Sequence, residues 1–150
     1  MNQRGQEGAS FRLLIDAVLV VLILGIIIGV IGQMDHWRWQ VSERRLIEGF
    51  YKSTNSPDGS VIMEKGIVLK EGAMYSTGTF AASVADVSQE CIELDSSDSA
   101  AFSLSSDSLV LEVRSLVETN VYYKCVYGKE IGEDECGLYC IVSFGKDLAG

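Results

Sequence analysis

From Ala17 to Ile31 fifteen consecutive positions carry no polar side chain, and Leu13 to Gly32 makes twenty positions with one charge, Asp16. Twenty helical residues at about 1.5 Å each match the hydrocarbon thickness of a bilayer. The pattern therefore predicts a transmembrane helix. The apolar core of an export signal is shorter, roughly 7 to 15 residues, so a retained helix is expected, with release of the remainder after Gly32 as the alternative. Directly after the run stands MDHWRWQ, in which Trp37 and Trp39 flank Arg38. Indole rings have an apolar body and one polar N–H, so both tryptophans are expected at the membrane interface.

The pattern then changes period. In SERRLIEGFYK, Leu46, Ile47, Phe50 and Tyr51 fall at i, i+1, i+4 and i+5, an apolar stripe on a polar helix. The helix is expected to continue to residue 54 and to lie against a folded domain, ending at Asn55, Pro57, Asp58 and Gly59, which supply turn geometry. Beyond Gly59, short runs of branched and aromatic residues predict strands over Val61–Met63, Ile67–Lys70, Cys91–Leu94, Phe102–Leu104, Leu109–Arg114, Thr119–Tyr127 and Leu138–Phe144. The alanine-rich stretch Phe80–Val87 reads as a short helix, and the serine-rich Asp95–Ser108 as turns around an edge strand. The expected fold class is α+β: a long amino-terminal transmembrane or packing helix followed by a small, mainly antiparallel β-sheet domain.

Charge sharpens this division. The chain has 150 residues and a formal net charge of -9, while residues 1 to 32 carry two positive charges (Arg4, Arg12) and two negative ones (Glu7, Asp16), so the whole excess lies after the apolar run. Such a domain repels nucleic acid, and no basic stripe with interleaved aromatics offsets that. Arginines flank the run on both sides and leave the positive-inside rule balanced. The acidic, cysteine-bearing part is expected outside the cell, with the amino terminus inside. Asp16 lies in the opening turns with Arg12 one turn earlier, where a charge costs far less than at the bilayer centre. It also marks a possible protein contact in the membrane, and Gly25 and Gly29 form a G-x-x-x-G that favours close helix packing.

Four cysteines outside the cell imply two bridges, with three possible pairings. Folding VYYKCVY against LYCIVSF as a hairpin with Cys125 opposite Cys140 places Tyr127 against Leu138, Tyr123 against Val142 and Val121 against Phe144, one apolar face throughout. That register pairs Cys125 with Cys140 and leaves Cys91 with Cys136; Cys125 with Cys136 and Cys91 with Cys140 remains open. The spacing lacks the paired C-x-x-C knuckles of a structural zinc site, so no metal and no cofactor are expected. The acidic tip Glu133, Asp134 and Glu135 lacks the ligand spacing of a calcium loop. The sole histidine, His36, sits at the membrane edge, and there is neither a phosphate loop nor an H-E-x-x-H. No catalytic residue is assigned and no enzymatic activity is expected.

The opening RGQEGASFRLLIDAVLVVLIL, Arg4 to Leu24, resembles the leader and first helix of archaeal type IV pilin-like proteins: a very short basic leader ending in Arg–Gly, often followed by Gln, with a long apolar helix directly behind. The resemblance covers about the first thirty residues. It implies cleavage between Gly5 and Gln6 by a membrane prepilin peptidase, and a helix that first anchors the subunit in lipid and later packs against other pilin-like subunits in a filament core. Many members carry glutamate at the fifth mature position, here Ser10, whereas this chain has Asp16 and a basic Arg12 in the helix. That departure points to a minor or accessory subunit. The implied organisation is a leader at 1–5, a transmembrane or filament-core helix at 6–32, its continuation at 33–54 and an extracellular β-rich domain at 55–150. Two alternatives stand beside it: a single-pass anchored accessory subunit of a membrane protein complex, starting at Met1, and a secreted domain starting at Gln33.

Overall fold

A computed structural model describes residues 4–131 and 134–149, with side chains from 11 to 128 and from 136 to 149. The chain forms two compact units, Met1–Arg38 and Trp39–Gly150. Helix α1 (Arg4–Thr54) supplies the first and opens the second. Residues 39–54 thus belong to the sheet unit itself, so the compact boundary falls at residue 38, earlier than the 54/55 division the composition suggests.

In the first unit, sixteen large apolar side chains from Phe11 to Ile31 are between 43% and 71% exposed, and none of the apolar window is buried within the chain. Burying a fully exposed side chain of this kind is worth about 1.5 to 3 kcal/mol, and with roughly half of each one exposed, leaving all of them in water forfeits on the order of 15 to 25 kcal/mol, as much as or more than a domain's typical net stability. This helix is long and apolar enough to cross a membrane.

The second unit is built from two sheets and the end of α1. Strands β1 (Val61–Leu69), β6 (Val117–Ile131), β7 (Asp134–Phe144) and β3 (Ile92–Ser96) form a sheet in the order β1-β6-β7-β3. Strands β2 (Met74–Ser76), β5 (Val110–Val113) and β4 (Phe102–Leu104) form a second, in the order β2-β5-β4. All pairings are antiparallel except β3 with β7. The fold class is α+β, with one parallel edge in a mainly antiparallel arrangement.

Period-two alternation decides which face is buried. On β6, Val121, Tyr123 and Cys125, and on β7, Leu138, Cys140, Val142 and Phe144, all point into the core. The register pairs Val121 with Phe144, Tyr123 with Val142, Cys125 with Cys140 and Tyr127 with Leu138. The small sheet closes the core from the other side: the Phe144 ring lies 6.1 Å from that of Tyr75 and 5.7 Å from that of Phe102. Phe50 of α1 meets Phe80 at 5.3 Å.

Several boundaries move for identifiable reasons. The two runs expected at Val61–Met63 and Ile67–Lys70 are one strand, because a bulge between Glu64 and Ile67 absorbs the break. Gly66 adopts φ 64° there, and its N–H is held by Asn120 Oδ1 at 3.2 Å. The short helix expected at Phe80–Val87 is α2 (Thr77–Ala81), since Ser76 caps it by accepting from the Thr79 N–H. A 3₁₀ turn, Gln89–Cys91, takes the first residue of the strand expected from Cys91. Strand β2 was not foreseen, being only three residues long. The hairpin strands run on to Ile131 and from Asp134, into residues read as a loop.

The stripe on α1 also turns. Leu46 and Phe50 are fully buried and Ile47 partly, but Tyr51 is 56% exposed, whereas Ser42 and Ser53 are buried. Small residues let the helix approach the sheet, and their hydroxyls are satisfied: Ser42 Oγ accepts from the Val68 N–H at 3.1 Å and Ser53 Oγ donates to the Phe50 carbonyl at 2.9 Å.

Candidate functional site

The first candidate surface is the apolar part of α1. Gly25, Gly29 and Gly32 stand at i, i+4 and i+7, and a Cβ added to any of them would meet nothing within 4 Å. At 100° per residue these three glycines share one face. Asp16 precedes Gly25 by nine residues, which is half a turn out of phase. The expected packing set of Asp16, Gly25 and Gly29 therefore splits between opposite sides of the helix: a small-residue face and a charged one. The junction at Gly5 and Gln6 lies in the first turns of α1, where only the backbone is described. Residues 1–3 of the leader, and Glu133 at the acidic tip, fall outside the described residues.

The tryptophans part company. Trp37 is 65% exposed. Trp39 is the first residue of the sheet unit, where Lys70 Nζ lies 5.6 Å from the centre of its ring. Nearby in the core, burial, with the charge of Glu43 adding to it, pushes the pKa of the Tyr75 phenol up to about 12. Only Trp37 keeps a fully open ring for an interface.

Both bridges lie in the sheet unit. Cys125 is bonded to Cys140, Cα atoms 4.1 Å apart, and Cys91 to Cys136, 5.7 Å apart. The first ties two facing strand residues, and the second ties the entry of β3 to β7. Sequence reasoning finds the first through the common apolar face. The second is the pair left over once Cys125 and Cys140 are joined, and it ties the 3₁₀ turn ahead of β3 to the start of β7. All four sulfurs are thereby used, and among the described residues no group of three or more His, Cys, Asp or Glu side chains gathers to hold a metal.

What the sequence did not announce is the lock between α1 and the sheet. Glu64 on β1 receives Arg45 at 3.1 Å and Lys52 at 3.0 Å, two cations two turns apart on one face of the helix. Burial alone would raise its carboxyl pKa, but hydrogen bonds from Lys52 and Arg45 and their charge outweigh it, leaving the group below the usual carboxylate range. Beside it, the Tyr123 hydroxyl donates to the Leu46 carbonyl at 2.8 Å, a helix acceptor reached because Gly49 has no side chain in the way. Burial raises the Tyr123 pKa strongly. On β7 the Tyr139 hydroxyl donates to Glu93 of β3, and burial followed by that carboxylate raises its pKa too. A lone glutamate in a largely apolar strand, with Arg44, Arg45 and Lys52 on the preceding helix, was the available signal.

Comparison with protein-family models, with curated proteins and with solved structures finds no match to this chain.

Proposed function

We propose that the chain is a membrane-anchored structural subunit of the pilin-like kind, an accessory rather than a major one. Its apolar helix is held by lipid or by neighbouring helices, and its bridged sheet unit lies outside the cell. The observation that carries this reading is the contrast between the two units: a helix with sixteen exposed apolar side chains beside a unit with its own closed core and two disulfides. The first demands an apolar surrounding and the second suits an oxidising space.

The split of Asp16 from the glycines supports packing among several helices. A helix with a small-residue face on one side and a carboxylate on the other has something to satisfy on both. A bundle or filament core provides neighbours on both sides. In this reading a prepilin peptidase trims the leader before assembly, and the sheet unit takes no part in chemistry.

Amino-terminal sequencing and intact mass of the native protein test the reading. A mature chain beginning at Gln6, retained in the membrane pellet after alkaline carbonate washing, is the expected result. A start at Met1 assigns the chain to an anchored subunit of a membrane complex instead, and a soluble product starting at Gln33 overturns the anchor altogether.

A further inference from the structure

Tyr51 and Tyr127 are the two aromatic residues of the sheet unit that are more than half exposed, at 56% and 57%, while its other tyrosines and its phenylalanines are buried or half-buried. Separated by most of the unit in sequence, they line one cleft of about 600 Å³ between the end of α1, the turn after α2 and the β6–β7 hairpin. That volume lies within the range of small-ligand sites. The walls are stitched together: Asp58 Oδ1 accepts from the Tyr127 N–H at 2.9 Å, and the Gly59 N–H donates to the Cys125 carbonyl at 2.9 Å.

The polar groups of the cleft have an unusual common feature. Thr54 Oγ1 donates to the Tyr51 carbonyl at 2.8 Å, and Ser83 Oγ donates to the Phe80 carbonyl at 2.6 Å. Asn55 commits its Nδ2 to the Tyr51 carbonyl at 2.9 Å and to Thr54 Oγ1 at 3.4 Å. The Asp86 carboxylate offers acceptor oxygens. Apart from the two phenols, what these side chains present to a visitor is acceptor oxygen. Among the described residues, no lysine, arginine or histidine lines the cleft.

We infer that this cleft binds a donor-only organic cation, an ammonium or guanidinium group, seated against Tyr51 and Tyr127 and hydrogen-bonded to Asp86 and Asn55 Oδ1. Ammonium and guanidinium groups carry donors and no acceptor, which is the complement of this lining. Aromatic faces attract them further, and the domain's net negative charge draws cations toward it. Among the described residues an anion finds one carboxylate and no counter-charge here. The inference does not depend on how the helix is anchored.

Two sources supply that chemistry, a basic side chain of another protein and a free polyamine. The test uses the full chain, isotope-labelled in an uncharged, non-ionic detergent, titrated with Nα-acetyl-arginine amide, with the neutral isostere Nα-acetyl-citrulline amide, and with spermidine. Saturable shifts of the Val84, Ala85 and Gly137 amides with a cation, and none with the citrulline compound, are expected. Tighter binding of the arginine compound assigns the site to a protein partner, and tighter binding of spermidine to a free amine. Tyr51→Ala and Tyr127→Ala should each weaken binding roughly fivefold, the weight of one cation–aromatic contact. Asp86→Asn should weaken it more. No saturable shift at millimolar cation, or equal binding of the citrulline compound, overturns the proposal.

Discussion

Gly49→Ala sets two forces of known sign against each other. In an isolated helix the change is favourable by about 1 kcal/mol, because alanine loses less backbone freedom than glycine. Here the new Cβ falls 2.7 Å from Tyr123 Cε2 and 2.8 Å from Glu64 Cγ. Tyr123 is fully buried and its hydroxyl is tied to the Leu46 carbonyl, so its ring cannot swing aside without breaking that bond. Overpacking of this kind costs about 1 to 3 kcal/mol, and the lost hydrogen bond adds about 1. The steric side wins, and a net loss of about 1 to 3 kcal/mol is expected. At about 4 °C per kcal/mol the melting temperature of the sheet unit should fall by roughly 4 to 12 °C, read by near-ultraviolet circular dichroism of the full chain in detergent. Gly32→Ala, where no atom lies within 4 Å of the added Cβ, should leave that transition unchanged. Tyr123→Phe should cost less in the Gly49→Ala background than alone, since the hydroxyl bond is already strained or lost there. A Gly49→Ala chain that melts higher than the parent would refute the tight helix–sheet contact on which this reasoning stands.

The two disulfides should differ in worth. The Cys91–Cys136 bridge closes a separation of 45 residues and Cys125–Cys140 one of 15, so loop-closure entropy assigns them about 4 and about 3 kcal/mol. Paired serine replacements followed by denaturant unfolding check both the size and the order. Glu64→Gln should cost about 1 kcal/mol at neutral pH, because its two partners are partly exposed and their ion pairs are screened. Since the folded-state pKa of Glu64 is depressed, its contribution is present above the unfolded carboxylate value and disappears as pH falls through the folded one. The variant should therefore show a shallower acid limb in a stability-versus-pH series. At the other end, the buried Tyr75 phenol titrates at about 12 in the fold, and an unfolded phenol near 10. Its raised pKa gives stability that is whole below pH ~10 and is lost as pH rises toward ~12, so phenolate absorbance should lag and then appear together with unfolding.

Much of this architecture was legible in linear order. An unbroken apolar run needs no partner to announce a helix, and alternation along VYYKCVY and LYCIVSF carries its own register, because a slip of one residue would turn Tyr123, Cys125 and Val142 out of the core. The Cys125–Cys140 bridge follows from that register. These are local signals, in which each residue's neighbours in sequence settle its environment. The cleft and the lock were not legible, because they join residues far apart: Tyr51 meets the same cavity as Tyr127, and Glu64 finds Arg45 and Lys52.

Sequence alone determined that one part of the chain must leave water and another must close its own core, since hydrophobicity and charge are additive properties of composition and period. Only the tertiary structure decided which face of α1 meets the sheet. The apolar stripe favoured Tyr51, yet the helix turned Ser42, Gly49 and Ser53 inward, because close approach and satisfied hydroxyls outweighed one more buried ring. That orientation leaves Tyr51 exposed, and with Tyr127 it lines the cleft.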